Sequence, residues 1–262
     1  MTTVLLVCAG ASLLAILALR ALEPSLLFHP RTAAQEWFAL PPDFEELSLG
    51  DGTGALWCPV AGAGRVVLYC HGNFGNASMR ENWVRALQRH FRASVLLFDY
   101  PGFGRTPGTP TEAGCYASAH SAFDWLLERG VEEGNMVLWG KSLGAAVATE
   151  LAVRHPGCRA LVLLDPFTSV SDAANVLLRV PVGFLARNHF DNARKIGSIE
   201  MTKVILGGEL DTLCPAWMAR RLGELAREPK SVLIVRGRAH ADFPGETDWA
   251  WMAAQLRHTE ER

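Results

Sequence analysis

Three residues in the second half of the chain are of the types that acyl transfer requires, and they occur in a telling order. Ser142 stands in Gly140-Lys141-Ser142-Leu143-Gly144, Asp211 follows in "KVILGGELDTLCP", and His240 comes last in "SVLIVRGRAHADFP". A serine hydroxyl is a poor nucleophile until a base accepts its proton and an acid holds that base in the correct tautomer. A lone G-x-S-x-G is a weak signal, so its setting decides. Here the apolar run "MVLW" leads directly into it and "SLGAAVATELAVRHP" continues as a helix. Such a strand-to-helix turn forces the serine into a strained conformation, and the flanking glycines let the two elements approach. The hydroxyl then projects beside a helix amino terminus, which favours developing negative charge.

Acyl transfer also needs backbone amides aimed at the oxyanion. The residue after the nucleophile, Leu143, supplies one. The loop "HGNFGNAS" after the apolar strand "RVVLYC" supplies the other, from the amide of Asn73. His71 directly precedes a glycine turn and reads as a support for that loop. Asp165 ends the strand "RALVLLD" and is a second candidate for the orienting acid, since some hydrolases place theirs one strand earlier. Asp99 precedes the turn Tyr100-Pro101-Gly102 and reads as structural. Lys141 reads either as a contact for an anionic substrate or as a solvated lysine. The stretch "GFGRTPG" lacks both G-x-G-x-x-G and the Walker lysine spacing, so it is turn chemistry and not a phosphate loop.

The elements that must carry these residues follow from hydrophobic rhythm. "RVVLYC", "SVLLFDY", "MVLWG", "RALVLLD", "KVILGG" and "SVLIV" are short runs apolar on both faces, separated by stretches of helical spacing. In "ASMRENWVRALQRHF", Met79, Trp83, Leu87 and Phe91 mark one helix face. This alternation predicts a mostly parallel sheet covered by helices on both faces. Residues 168–198 form the sizeable insertion between strands, with Val176, Leu177, Leu178, Val182, Phe184 and Leu185 around Pro181. They are expected to lie over Ser142 as a small cap.

With 262 residues, 49% hydrophobic and 20% charged, the chain can bury a large core. A net charge of −2 gives no cationic field for nucleic acid. Six scattered cysteines form no C-x-x-C pair, so they signal neither zinc nor a redox motif and read as buried thiols. The run Thr2–Leu19 carries no charge and is about the ~17–25 residues that span a bilayer. No cleavage-site pattern ends it. We therefore expect a membrane anchor over residues 1–22, a proline-punctuated connector over 23–42 and the catalytic domain over 43–262. Arg20 and Arg31, after the run, place that domain on the cytoplasmic side of a single-pass protein.

"HGNFGNAS", "FDYPGFGRTPGTPTEAG", "GKSLGAAVA", "DPFTSV", "GGELDTLCP" and "RAHADFP", taken in order, resemble the α/β-hydrolase superfamily, and within it the BEM46-like group. The resemblance runs from about Leu26 to the last helix. It implies the α/β-hydrolase fold, a triad on Ser142, Asp211 and His240, oxyanion amides at Asn73 and Leu143, and often an amino-terminal membrane segment. It also gives the carboxylate at Asp165 a structural role. Pro101 stands where arginine is common, and Arg238 where glycine is frequent near the histidine, so the histidine loop is expected to differ in shape. The implied activity is hydrolysis of an ester, thioester or amide through an acyl-enzyme, esterase-like above all. A peptidase-like amidase and a non-catalytic scaffold at the membrane are the other readings. No cofactor or metal is called for, and the expected partners are a small-molecule or lipid-like acyl substrate and the membrane.

Overall fold

The computed structural model describes residues 16–18 and 20–257. Ten strands are present among them: β1 (His29–Pro30), β2 (Glu45–Ser48), β3 (Gly54–Cys58), β4 (Val66–Cys70), β5 (Phe74–Gly75), β6 (Ser94–Phe98), β7 (Met136–Lys141), β8 (Ala160–Leu164), β9 (Thr202–Gly208) and β10 (Lys230–Val235). Eight form one sheet in the order β10-β9-β8-β7-β4-β6-β3-β2. The six from β10 to β6 are parallel, while β3 and β2 add antiparallel. This is the sheet that the uniformly apolar runs predict.

Strand periodicity divides the core in two. Along β4, Val66, Leu68 and Cys70 face one layer, and Val67 and Tyr69 the other. The first layer is closed by α2 (Glu112–Glu128), α3 (Leu143–Arg154) and α6 (Ala216–Leu225), through Phe123, Leu151 and Leu222. The second is closed by α1 (Glu81–Phe91) and α7 (Glu246–Arg257), through Leu87, Phe91, Trp249 and Met252. Local chemistry sets the helix starts. Thr111 Oγ1 accepts from Gly114 N at 3.0 Å to cap α2, and Ser169 Oγ accepts from Asp172 N at 3.0 Å to cap α4 (Val170–Leu178). Between β8 and β9 the chain runs through α4, a 3₁₀ turn at Gly183–Leu185 and the one-turn helix α5 (Asn192–Lys195).

The expected membrane anchor does not stand. Among the described residues no helix is long and apolar enough to cross a membrane. The membrane partner and the single-pass localisation fall with it. Most of the Thr2–Leu19 run lies outside the described residues. The helical residues 20–27 show the physical reason for the correction. They carry Arg20, Glu23 and Pro24, and Leu26 and Leu27 face a cavity of the protein itself.

The stretch from Glu23 to Pro42, whose prolines suggest a plain connector, is ordered against the domain. β1 pairs in parallel with β5 in a separate two-stranded sheet, with His29 opposite Phe74. Phe28 is buried and meets Phe190 edge-on, ring centroids 6.3 Å apart.

Candidate active site

Ser142 sits at the junction of β7 and α3 with φ 52° and ψ −116°, a left-handed conformation that L residues avoid at a cost of ~1–3 kcal/mol. The surroundings enforce it. Ser142 N donates to Leu164 O at 2.9 Å, and Ala145 N donates back to Ser142 O at 3.0 Å. The motif glycines exist because elements cross there: a Cβ on Gly144 would overlap the Cys70 carbonyl, and one on Gly140 the backbone of Gly144 and Ala145. Removing both side chains lets α3 lie directly on β4 and β7.

The carboxyl ends of β9 and β10 bring the partners. His240 Nε2 lies 3.0 Å from Ser142 Oγ, and His240 Nδ1 lies 2.6 Å from Asp211 Oδ2. The carboxylate at Nδ1 assigns the ring proton there, which leaves Nε2 to accept from the serine hydroxyl. Asp211 is itself fixed, since its Oδ1 accepts from Leu213 N at 2.9 Å and Cys214 N at 2.8 Å. Asp211 is buried, while His240 retains partial exposure toward the cavity.

The two residues whose amides are expected to hold an oxyanion line the same space as the serine and the histidine. Asn73, Leu143, Ser142 and His240 all line one cavity. Leu143 opens α3, so its N–H belongs to the first turn and has no acceptor within the helix. The Asn73 loop packs close to the serine, as a Cβ on Gly72 would lie 3.8 Å from Ser142 Cβ. His71 is fully buried beneath that loop. Its Nδ1 meets Gly72 O at 2.6 Å, its Nε2 lies 3.3 Å from Asp99 Oδ1, and its carbonyl accepts from Tyr100 Oη at 2.7 Å. Asp99 Oδ1 also accepts from Ala77 N at 2.8 Å, so both residues serve the loop.

Asp165 is not the partner of His240 Nδ1, which pairs with Asp211. It is fully buried and clamped by two cations, with Arg238 Nη1 and Nη2 at 2.8 and 2.7 Å in a bidentate pair and Lys141 Nζ at 2.6 Å. Lys141 Nζ donates also to His240 O at 2.9 Å. Lys141 is therefore neither a substrate contact nor a solvated lysine, and Arg238 does more than reshape the loop. Together they tie the histidine loop to the end of β8. Spacing could not show this, because the partners come from the ends of β7 and β8 and from the loop after β10.

Asp211, Cys214 and His240 bring potential metal-ligand atoms within 4.8 Å of one another. A cation bound there would displace the Nδ1 proton that the His240–Asp211 pair holds. Burial, reinforced by the Asp211 charge, pushes the Cys214 thiol well above its ordinary range, so it stays protonated and does not compete with Ser142 as a nucleophile.

The cavity measures about 360 Å³ and is mostly apolar, with the cap residues Val170, Ala173, Leu177 and Leu185 on one side. Among its described lining residues Glu23 is the one acid, and none is a lysine or arginine.

A sequence profile of the alpha/beta hydrolase fold matches residues 65–221. An uncharacterized protein of Mycobacterium tuberculosis is 40% identical over 183 residues, covering 69% of this chain and 64% of that protein. The alpha/beta hydrolase domain-containing protein WAV2 of Arabidopsis thaliana is 28% identical over 189 residues, covering 65% of this chain and 61% of that protein. The chain thus spans less than two thirds of the length of these curated relatives. Among solved structures, an esterase of Pyrococcus furiosus superposes with a TM-score of 0.70 at 15% identity, covering 89% of this chain and 98% of that one. At that identity the likeness shows the fold alone. The sheet order, the strained serine turn and the matched profile agree, and the chain belongs to the α/β-hydrolase fold family.

Proposed function

We propose that this protein is a serine hydrolase that cleaves carboxylic esters through an acyl-enzyme. The observation that carries the reading is the unbroken relay from Ser142 Oγ to His240 Nε2 at 3.0 Å and from His240 Nδ1 to Asp211 at 2.6 Å, opening on an apolar cavity. Ser142 Oγ attacks the ester carbonyl carbon while His240 Nε2 takes its proton, and the carbonyl oxygen becomes an oxyanion facing the Asn73 and Leu143 amides. His240 then delivers the proton to the departing alkoxide, which leaves as the alcohol. Water repeats the sequence on the acyl-enzyme and frees the acid. Asp211 holds the imidazole tautomer and stabilises the imidazolium.

Ester is preferred to peptide amide. A peptidase that reads a free amine needs an available carboxylate, and the one acid among the cavity's described lining residues, Glu23, has its oxygens occupied by Arg187 N, Asn188 N and Asn188 Nδ2. Placement in the BEM46-like group rests on the ordered motifs from "HGNFGNAS" to "RAHADFP" and is part of this proposal.

A fluorophosphonate probe tests the class directly. Wild type is expected to be labelled at Ser142, and the Ser142→Ala variant to be blank. Ester turnover should fall on the order of 10⁵- to 10⁶-fold in Ser142→Ala and His240→Ala. An unlabelled wild type, beside a labelled control hydrolase, refutes the proposal.

A further inference from the structure

The segment Glu23–His29, well ahead of the matched residues 65–221, is built into the cavity. Glu23 fastens it to the cap by accepting Arg187 N at 2.8 Å, Asn188 N at 2.8 Å and Asn188 Nδ2 at 3.1 Å. Four residues on, Leu27 O accepts from Asn73 Nδ2 at 2.8 Å, and His29 N donates to Asn73 O at 2.9 Å. One short strap therefore grips both the cap and the loop that carries the Asn73 amide. Leu26 and Leu27 line the cavity together with Val170, Ala173 and Leu177 of α4.

We infer that residues Glu23–His29 are a specificity wall, and that the cavity they complete selects neutral, medium-length acyl chains over acetyl groups. This rests on the serine-hydrolase reading of the same site. The cavity chemistry sets the charge class: among the described residues no lysine or arginine lines it, and the Glu23 carboxylate is saturated by three N–H donors. A charged acyl group would be buried there without a partner, which is costly. The volume sets the length. At ~30 Å³ for each water-sized unit, a cavity of about 360 Å³ holds about twelve non-hydrogen atoms. After the carbonyl and part of the alcohol, roughly six to ten acyl carbons fill it.

The experiment is a chain-length series of 4-nitrophenyl esters, acetate to laurate, on the full chain, with fluorophosphonate labelling in parallel. For wild type, kcat/KM should rise about three- to fourfold per added methylene, the equivalent of ~0.8 kcal/mol, and peak between hexanoate and decanoate. Leu27→Trp should lower the octanoate-to-acetate ratio at least tenfold, and the milder Leu27→Ala should move the peak to longer chains. Labelling with a flat or falling wild-type profile overturns the substrate class alone. Labelled Leu27 variants that both keep the wild-type profile overturn the wall. No labelling and no turnover of any ester removes the hydrolase reading and this inference with it.

Discussion

Two buried aspartates follow the neighbouring strands β8 and β9, and they have opposite jobs. Asp211 spends one oxygen on backbone amides and the other on His240. Asp165 spends both on cations, Arg238 and Lys141. From position alone either could orient the imidazole, and what separates them is which charged side chains arrive from 73 and 24 residues away. That information lies in tertiary packing, so Lys141 looked like a substrate or solvent contact. The two roles predict different failures. Asp211→Asn should keep the fold and lose about 10⁴-fold in kcat, because the imidazole loses its tautomer. Asp165→Ala leaves the buried Arg238 guanidinium unpaired and should cost about 3–5 kcal/mol of stability. Urea denaturation beside steady-state ester kinetics distinguishes them. A stable, inactive Asp165→Ala with an active Asp211→Asn would reverse the assignment.

At the level of elements, long periodic segments were legible and short pairings were not. The apolar strands and the cap insertion announce themselves because burial on both faces demands unbroken apolar runs. The strap does not, since β1 and β5 pair over only two residues each, too few to show a period. Its residues therefore read as part of a plain connector, although Leu26 and Leu27 line the cavity. Glycine placement shows how tightly elements constrain sequence where they cross. Gly144 sits where α3 meets β4, and a Cβ there would overlap a backbone carbonyl that no rotamer change can move aside. Gly144→Ala should cost about 3 kcal/mol or more. Gly134, with open space around it and no left-handed φ, is the control. Gly134→Ala should be neutral or stabilise by up to ~1 kcal/mol. Thermal melts of the two variants make the comparison, and equal losses would mean that the crossing is looser than the contacts require.

Across the whole molecule, burial of titratable groups sets how stability responds to alkali. Cys58, Cys70, Cys115, Cys158 and Cys214 are buried and free, and burial raises every one of these thiols, Cys158 to about 12. Above pH ~9 the unfolded chain releases thiol protons that the folded chain keeps, so each thiol lowers stability by ~1.4 kcal/mol per pH unit. Lys203 opposes them. It is fully buried, its Nζ donates to Ile199 O and Met201 O at 2.7 Å each, and burial lowers it from 10.5 to about 8. Between those values the unfolded chain holds the extra proton, so stability rises with pH and the cost of burying the ammonium is relieved. From pH 8 to 9 Lys203 contributes on the order of 1 kcal/mol, while the five thiols, whose protons the unfolded chain begins to release over the same range, together take away about 2 kcal/mol. Beyond pH 9 the thiols dominate further. The urea midpoint should therefore fall gently from about pH 8 and steeply beyond pH 9. Lys203→Met should steepen the fall between pH 8 and 9, because the opposing ammonium is gone, and leave the later drop in place. A Lys203→Met midpoint that falls no faster than wild type between pH 8 and 9 would show that the buried ammonium is not what shapes this side of the curve.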